Sequence, residues 1–205
     1  GEAGVIIPPD DYLPRVREAT NAAGVVLCLD EVQTGFGRTG TLFAWQRSGA
    51  RPDAIVLGKA LSGGLYPVSA FCADAWLMDV FTPGTHGSTY GGNPLAAAVS
   101  IAALDVIADE KLVERSERLG TRALARLRAG LAGLGHVKEV RGRGLMIAIQ
   151  LNEKTAHAAA LALAKDGVLV KDTHGHTLRV LPPLMIDEGV LDEAIDAVIR
   201  VVARR

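Results

Sequence analysis

Short apolar runs in the first half of the chain are each followed by a charged residue or a glycine-rich loop. The runs VVLCLDE and DAIVLGK predict buried strands of a parallel sheet, and VSAFCA predicts a third short strand. Helices are predicted over residues 10–23 and 43–48, and from Pro94 to about Ala108. This succession is typical of a mostly parallel sheet covered by helices, in which ligands bind at the carboxyl ends of the strands.

The second half of the chain has a different pattern. Residues 111–131 predict an amphipathic helix. HVKEVRGRGLMIAIQL predicts two strands around a glycine-rich turn, GVLVK and TLRVLPP predict two more, and helices are predicted over 155–166 and 187–204. We therefore predict an α/β protein in which residues 1–110 are part of a large domain. Residues 111–205 are predicted to form a connecting helix and a small α+β domain.

Composition limits the classes of protein that fit. Hydrophobic residues make up 49% and charged residues 22%, which is typical of a globular protein. The 22 basic and 23 acidic residues leave a net charge of −1, which predicts no nucleic-acid or membrane partner. No run approaches the roughly 18 apolar residues of a membrane span, and no signal peptide is present, which favours a cytoplasmic protein.

Two further expectations come from single features of the sequence. Cys28 and Cys72 lie within apolar runs, so we expect buried, reduced thiols. The chain opens on the apolar stretch GEAGVIIPP and without a methionine, so we expect a fragment of a longer protein.

Lys59 ends the second apolar run and precedes ALSGG. A lysine at the end of a buried strand is unfavourable unless it is paired or has a function. In a dry pocket its amine would have a lowered pKa and could bond covalently to a carbonyl carbon. The alternative is a lysine that extends from the strand end into solvent, and position alone favours this alternative.

Asp30 and Glu31 end the first apolar run. A carboxylate at the end of such a strand needs a cationic or hydrogen-bonding partner, which could be a protonated ring nitrogen of a cofactor. The alternative is a helix cap or a structural ion pair. The sequence alone does not rank the two carboxylates.

The loop GTHGSTYGGN could hold a phosphate group. Ser88 and Thr89 supply hydroxyls, the glycines allow close approach of backbone N–H groups, and a helix begins after the loop. Glycine-rich polar stretches are more often plain loops. His86, His174 and His176 lack the spacing of a zinc site, so we predict no metal.

The ordered set LDEVQTGFGRTG, PDAIVLGKALSGGLYPVSA and HGSTYGGNPLAAA resembles the class III aminotransferases, which belong to fold type I and use pyridoxal 5'-phosphate (PLP). The resemblance covers essentially the whole chain and corresponds to the C-terminal half of the family's proteins, that is, the C-terminal part of the large domain plus the small domain. LGKALSGGLYPVSA and LRVLPPL are most similar to the ornithine-type members. The family's N-terminal half, with its main phosphate-binding turn, has no counterpart here.

The resemblance implies a role for each matching residue. Asp30 matches the carboxylate that pairs with the pyridine nitrogen of PLP, and Gln33 matches the side chain beside its phenolic oxygen. Lys59 matches the lysine that carries the cofactor and moves a proton between substrate and cofactor. Thr89 matches the residue that reaches the cofactor phosphate of the neighbouring subunit in the family's dimer.

Arg179 of LRVLPP matches the arginine that binds a substrate carboxylate, and Glu2 of GEAG matches the glutamate that covers this arginine in ornithine-type enzymes. Ornithine presents no carboxylate to that end of the site, so an uncovered buried arginine would be unfavourable. The co-substrate 2-oxoglutarate brings a carboxylate that can replace the glutamate. The alternatives are a structural ion pair for Arg179 and a frayed terminus for Glu2.

The resemblance implies transfer of the δ-amino group of L-ornithine to 2-oxoglutarate, in a homodimer or a larger assembly. A separate chain is one possible source of the N-terminal half. Two alternatives stay open: a related aminotransferase acting on acetylornithine or 4-aminobutyrate, and a truncated chain that is inactive without its complementary half.

Overall fold

The computed structural model describes residues 1–204 and separates them into two compact units. The Lys59 unit consists of residues 8–36 and 41–111. The Arg179 unit consists of residues 1–7, residues 37–40 and the chain from Leu112 onward, so it is built from three separate stretches. No helix in the described part of the chain is both long and apolar enough to cross a membrane.

The helices and strands of the Lys59 unit lie close to the positions that the apolar pattern predicts. They are α1 (Tyr12–Ala23), β1 (Cys28–Asp30), β2 (Ala54–Leu57), β3 (Ala70–Ala73), α2 (Ala75–Met78) and α3 (Pro94–Asp109). Single turns of 3-10 helix cover Ala44–Arg47 and Lys59–Ser62. The short helix α2 was not predicted, and at ALSGG a glycine-rich turn was predicted without its 3-10 conformation, because neither element is long enough to show a helical period.

The strands of this unit form a sheet of order β1-β2-β3. β1 and β2 are parallel, as predicted, with Asp30 opposite Val56. β3 is antiparallel to β2. The connection from β2 to β3 contains one turn of 3-10 helix rather than a full crossover helix, so the chain turns back instead of returning in parallel.

The expectation of two buried thiols is wrong, because Cys28 and Cys72 are both exposed. Cys28 lies on β1 and Cys72 on β3, the two outer strands of the three-stranded sheet. Each of these strands has a neighbour on one side only. An apolar run therefore predicted the strands correctly but did not predict whether another layer covers each residue.

The Arg179 unit has an antiparallel sheet of order β4-β5-β7-β6, packed with three helices. Its elements are α4 (Leu112–Gly130), β4 (Val137–Arg143), β5 (Met146–Leu151), α5 (Ala156–Lys165), β6 (Lys171–Thr173), β7 (Thr177–Val180) and α6 (Glu188–Ala203). The predicted hairpin and all three predicted helices are confirmed. GVLVK was predicted as a strand, but only its last residue belongs to β6. The N–H of Val168 instead donates to Leu163 O, so the start of this stretch closes the end of α5.

The two faces of this second sheet have different partners. Along β5, Ile147, Ile149 and Leu151 belong to the main hydrophobic core with residues of the three helices. The alternate positions Met146 and Ala148 instead contact Val5. Because side chains alternate along a strand, the residues opposite Ala148 share this second face. Arg179 is one of them, since it pairs with Ala148 in the register of β5 and β7.

Candidate active site

Lys59 lies directly after Gly58, at the carboxyl end of β2, and begins a single turn of 3-10 helix. Its backbone has φ +45°, a left-handed conformation that costs a non-glycine residue roughly 1–2 kcal/mol. The side chain is exposed. It borders an open concavity of about 610 Å³ that Ser62, Leu65, Tyr66 and Val68 also line. Thus Lys59 occupies a strained position at a strand end, but it is not enclosed in a dry pocket within this unit.

The loop after Lys59 is held by Ser62, which is only 1% exposed. The Ser62 hydroxyl donates to Tyr66 O and accepts from Tyr66 N at 3.3 Å. Gly63 and Gly64 lie between them with φ +62° and +85°, which explains the glycine pair of ALSGG. Ser62 therefore fixes the loop that borders Lys59. This role was not predicted, because a serine within a glycine-rich stretch gives no sign of burial.

The structure distinguishes Asp30 from Glu31. Glu31 is 2% exposed, and both of its carboxylate oxygens accept hydrogen bonds within the Lys59 unit. Oε1 accepts from Trp45 N at 3.0 Å and Oε2 from the Thr34 hydroxyl. Glu31 is therefore a structural carboxylate that organises the loop after β1. Asp30 is exposed and accepts only from Val32 N, at 2.9 Å to Oδ1, among the described residues. Asp30 is thus the carboxylate with an oxygen left to bind a ligand.

Asp30 and Lys59 lie at the same edge of the sheet. The N–H of Glu31 donates to Val56 O at 2.9 Å, which continues the parallel pairing to the end of β1. Lys59 follows β2 by two residues. A carboxylate and an amine therefore end two neighbouring parallel strands, which is where ligands bind in sheets of this kind.

The other predicted cofactor residues are in loops of the same unit. Gln33 is half-buried after β1, and its side chain makes no hydrogen bond to the described part of the chain. Ser88 and Thr89 are exposed, and the Ser88 hydroxyl accepts from Gly91 N at 3.0 Å. Asn93 caps α3 by accepting from Ala96 N at 2.9 Å, so part of the helix N-terminus is already satisfied. The structure does not bring these loop residues into contact with Lys59.

Arg179 and Glu2 belong to the Arg179 unit. Arg179 Nη1 donates to Gly1 O at 3.4 Å, and its Nε is buried without a partner in the described residues. The backbone oxygen of Glu2 accepts from the Thr173 hydroxyl at 3.0 Å, and the Glu2 side chain is exposed. Among residues 1–204 no ion pair within 4 Å joins the two side chains. A covering role for Glu2 therefore stays a prediction.

Two further arginines of this unit bind backbone carbonyls, and neither contact was predicted from the sequence. Arg141, on β4, binds the carbonyls of Gly4 and Val5. Arg38 Nη1 donates to Leu145 O at 3.2 Å and Pro182 O at 2.5 Å, and burial lowers the pKa of its guanidinium. Their partners are distant in sequence, so the only local signals were the RGRG repeat at Arg141 and the glycines that flank Arg38 in GFGRTG.

The histidines form no metal site in the described part of the chain, where no group of three or more His, Cys, Asp or Glu side chains could hold an ion. His86 contacts the ring of Phe81, with 5.1 Å between ring centroids. His174 has φ +52° in the turn between β6 and β7.

Comparison with known proteins identifies the family. The family model described as aminotransferase class-III matches residues 1–202, and the chain belongs to this family. Ornithine aminotransferase of Staphylococcus carnosus (strain TM300) is 48% identical over 201 residues, which cover 98% of this chain and 50% of that protein. The chain thus spans about half the length of the curated relatives it matches.

Solved structures confirm the α/β fold of this family. An ornithine aminotransferase from Toxoplasma gondii, described with partial occupancy of PLP at its active site, gives a TM-score of 0.95 at 43% identity. The match covers 98% of this chain and 48% of that structure. An acetylornithine aminotransferase from Elizabethkingia anophelis gives a TM-score of 0.95 at 44% identity, over 100% of this chain and 52% of that structure. The resemblance drawn from the three motifs is therefore confirmed.

Proposed function

We propose that this chain is the C-terminal part of a PLP-dependent ornithine aminotransferase. The reaction transfers the δ-amino group of L-ornithine to 2-oxoglutarate and gives glutamate 5-semialdehyde and glutamate. One observation carries the proposal: Lys59 and Asp30 end neighbouring parallel strands, while Glu31 is fully used inside the fold. The amino donor follows from the relatives, which are ornithine aminotransferases at about half identity.

The residues present have the chemistry that PLP requires. An exposed amine suits the cofactor's aldehyde, a carboxylate suits its ring nitrogen, and hydroxyls with glycine backbone suit its phosphate. In our proposal Lys59, Asp30, Gln33 and Ser88 hold the cofactor, and Thr89 reaches the phosphate of the cofactor in the neighbouring subunit. When bound, PLP supplies an aromatic ring that delocalises negative charge from the reacting carbon of the substrate.

Lys59 and Asp30 each have one task in this proposal. Lys59 Nζ carries a proton to and from the reacting carbon, as a general acid and base on a flexible four-carbon stem. Its backbone has φ +45° and its side chain is exposed. Asp30 holds a proton on the ring nitrogen through its available oxygen. Its other oxygen accepts from Val32 N, which fixes the orientation of the carboxylate.

Arg179 is proposed to bind a carboxylate of 2-oxoglutarate, and Glu2 to cover Arg179 when ornithine is bound. The buried Nε of Arg179 has no partner among the described residues, so a planar carboxylate could accept from it and from a terminal nitrogen together. Glu2 follows Gly1, whose carbonyl accepts from Arg179. A change at Glu2 is therefore expected to affect the choice between the two substrates more than turnover.

The proposed assembly is a cytoplasmic homodimer or larger oligomer that needs a complementary N-terminal half. We propose that residues 1–110 contribute to the PLP-binding domain and 111–205 to the small domain. The exposed apolar side chains of α3, such as Leu95 and Ile101, support a partner on the Lys59 unit. Without that partner the chain is expected to be inactive.

A second donor, acetylornithine, is favoured by one observation, the equally good structural match to the acetylornithine enzyme. Initial rates with ornithine, acetylornithine and 4-aminobutyrate, measured on the complete assembly with 2-oxoglutarate, separate these donors. The highest kcat/KM for ornithine supports the proposal. A higher value for acetylornithine moves the assignment to that donor.

The cofactor site is tested on the chain itself. After incubation with PLP and reduction by borohydride, peptide mass analysis is expected to locate the cofactor adduct at Lys59. The variant Lys59→Arg should lose this adduct, whereas Lys138→Arg, at an exposed lysine on β4, should keep it. An adduct spread over surface lysines in the wild type would contradict a cofactor site in this chain.

A further inference from the structure

Arg141 directs its guanidinium into the Arg179 unit, and its side chain is almost fully buried. Nε donates to Val5 O at 2.8 Å, and Nη2 donates to Gly4 O at 2.6 Å. Nη1 donates to Glu139 Oε2 at 2.7 Å and to Gln150 Oε1 at 2.6 Å. Glu139 neutralises the buried charge, and the planar fork holds two consecutive carbonyls of the N-terminal segment.

The segment that Arg141 holds is strained. Gly4 has φ +111° and Val5 has φ +54°, and a β-branched residue in the left-handed region is a genuine outlier. Val5 is 4% exposed and packs on Met146 and Ala148. The turn keeps this conformation because packing and the Arg141 fork act on the same two residues.

The same turn contacts Arg179. The N–H groups of Gly4 and Val5 both donate to Gly1 O, at 3.2 and 3.0 Å. Arg179 Nη1 donates to this oxygen at 3.4 Å, which is the hydrogen bond that Arg179 makes among the described residues. The position of the Gly1 carbonyl, and with it the orientation of Arg179, therefore depends on the turn that Arg141 holds.

Sheet register places the two arginines on one face. Arg141 pairs with Ala148, and Ala148 pairs with Arg179, so one fully buried alanine separates them in a cross-strand row. Lys171 pairs with Arg179 on the other side and extends the row. The three cations lie on the face that Val5 covers. Among them, Arg141 has its charge neutralised within the unit, by Glu139.

We propose that Arg141 is a positioning residue for Arg179. By fixing the turn at residues 1–5, it sets the orientation in which the Arg179 guanidinium receives a carboxylate. This inference rests on the proposed function, because it assumes that Arg179 is the carboxylate-binding group. Arg141 itself touches no substrate. Its loss is expected to affect binding of the dicarboxylate substrate rather than the chemistry at Lys59.

The test is an NMR titration of the chain, in which the arginine side chains carry the isotope label. Glutarate is the ligand that is added. Arg179→Lys assigns the Nε–H signal of Arg179. Arg141→Lys keeps the charge but loses the planar fork. We expect it to shift the Arg179 signal, to speed exchange of the Val5 amide about tenfold and to weaken glutarate binding on the order of tenfold. Arg128→Lys is the matched control, because Arg128 is exposed and also donates to a carbonyl, Val140 O, at 3.1 Å. It should change none of the three.

Val5→Ala tests the turn without removing a buried charge, and should shift the Arg179 signal in the same direction. An unchanged Arg179 signal in folded Arg141→Lys and Val5→Ala variants would overturn the inference. If glutarate leaves the Arg179 signal of the wild type unmoved, the proposed carboxylate-binding role fails instead. The response of that signal to Arg141→Lys then still decides whether Arg141 positions Arg179.

Discussion

The two units bury their apolar side chains to different extents. Every described hydrophobic side chain with less than 2% exposure belongs to the Arg179 unit, where the sheet and three helices share one core. In the Lys59 unit the best-buried apolar residue, Ala54, is 2% exposed, and the larger Phe36 and Leu57 are 3% and 6% exposed. The unit that carries the proposed cofactor lysine is therefore the one with the less complete core.

Helix α3 shows the difference most clearly. It is apolar on all sides, yet only Ala96 and Ile107 are buried, while Leu95 and Ile101 are 58% and 60% exposed. Helix α4, by contrast, is amphipathic and buries its apolar face. A helix that is apolar all round is normally enclosed. The comparison indicates that the Arg179 unit is stabilised by its own residues, and that the Lys59 unit depends on further cover.

The largest effect is expected from truncating the core of the Arg179 unit. Leu127 is fully buried on α4, so Leu127→Ala should destabilise the chain by about 2–5 kcal/mol. Ile101→Ala, at an exposed position of α3, should change stability by less than about 0.5 kcal/mol. Urea unfolding of both variants measures this. Equal losses would remove the distinction between the units.

Gly120→Ala is the next largest expected effect. Alanine normally stabilises the interior of a helix, but a Cβ at Gly120 would lie 1.9 Å from Gly144 O. The backbone must move, so we expect a loss of about 3 kcal/mol. Gly64→Ala, with φ +85° and open space around it, should cost roughly 1 kcal/mol. Thermal unfolding of the two variants compares a glycine that is required by close packing with one that is required only by its backbone conformation.

In the Lys59 unit, Asp53 joins α1 to the sheet. Its Oδ2 accepts from Leu27 N at 2.7 Å and from Arg17 Nη1 at 2.8 Å. Both hydrogen bonds lower the pKa of the carboxyl, and the bond from Leu27 has the larger effect. Because the pKa is lower in the folded state, this stability is present above the ordinary pKa and is lost as pH falls through the folded value. Asp53→Asn should lower the free energy of unfolding by about 1–2 kcal/mol at pH 7. It should also make the fall of that free energy between neutral and acidic pH less steep, which is called the acid limb here. An unchanged acid limb would assign the acid sensitivity to other carboxylates.

The smallest effect is expected on the exposed surface of the Arg179 unit. There Glu188 on α6 accepts from Arg118 and Arg122 on α4, and the hydrogen bond from Arg118 is the main cause that lowers the pKa of Glu188 to about 2. Its contribution is present above the ordinary pKa and disappears as pH falls towards 2. Glu188→Gln should reduce stability slightly in dilute buffer and not at all in 1 M salt, where surface charges are screened. A salt-independent loss would show that the contact is not electrostatic.

Local patterns predicted much of the architecture. The glycine-rich turn within HVKEVRGRGLMIAIQL identified β4 and β5, and the charged ends of two apolar runs placed Asp30 and Lys59 at one sheet edge. These features depend on neighbours in sequence, so a single sequence contains them. The three helices of the Arg179 unit were also predicted, because the spacing of their apolar residues and the glycine or acidic residues at their ends are local features.

The remainder depends on contacts that no local pattern contains. The choice of Asp30 over Glu31 required knowing that Trp45 N and the Thr34 hydroxyl reach Glu31. The exposure of Cys28 and Cys72 depends on which layers cover the sheet. Arg141 contacts residues 136 and 137 positions earlier, a separation at which sequence spacing gives no information.

That separation affects the order in which the chain folds during its synthesis. Residues 1–7 and 37–40 leave the ribosome long before β4, β5 and β7, on which the first segment packs. The Arg179 contact with Gly1 spans 178 positions, so it forms only after Arg179 has left the ribosome. Contacts of such long range slow folding and leave early segments unpaired in the meantime. The turn at residues 1–5 is therefore expected to reach its native conformation late, although it is made before the strands on which it packs.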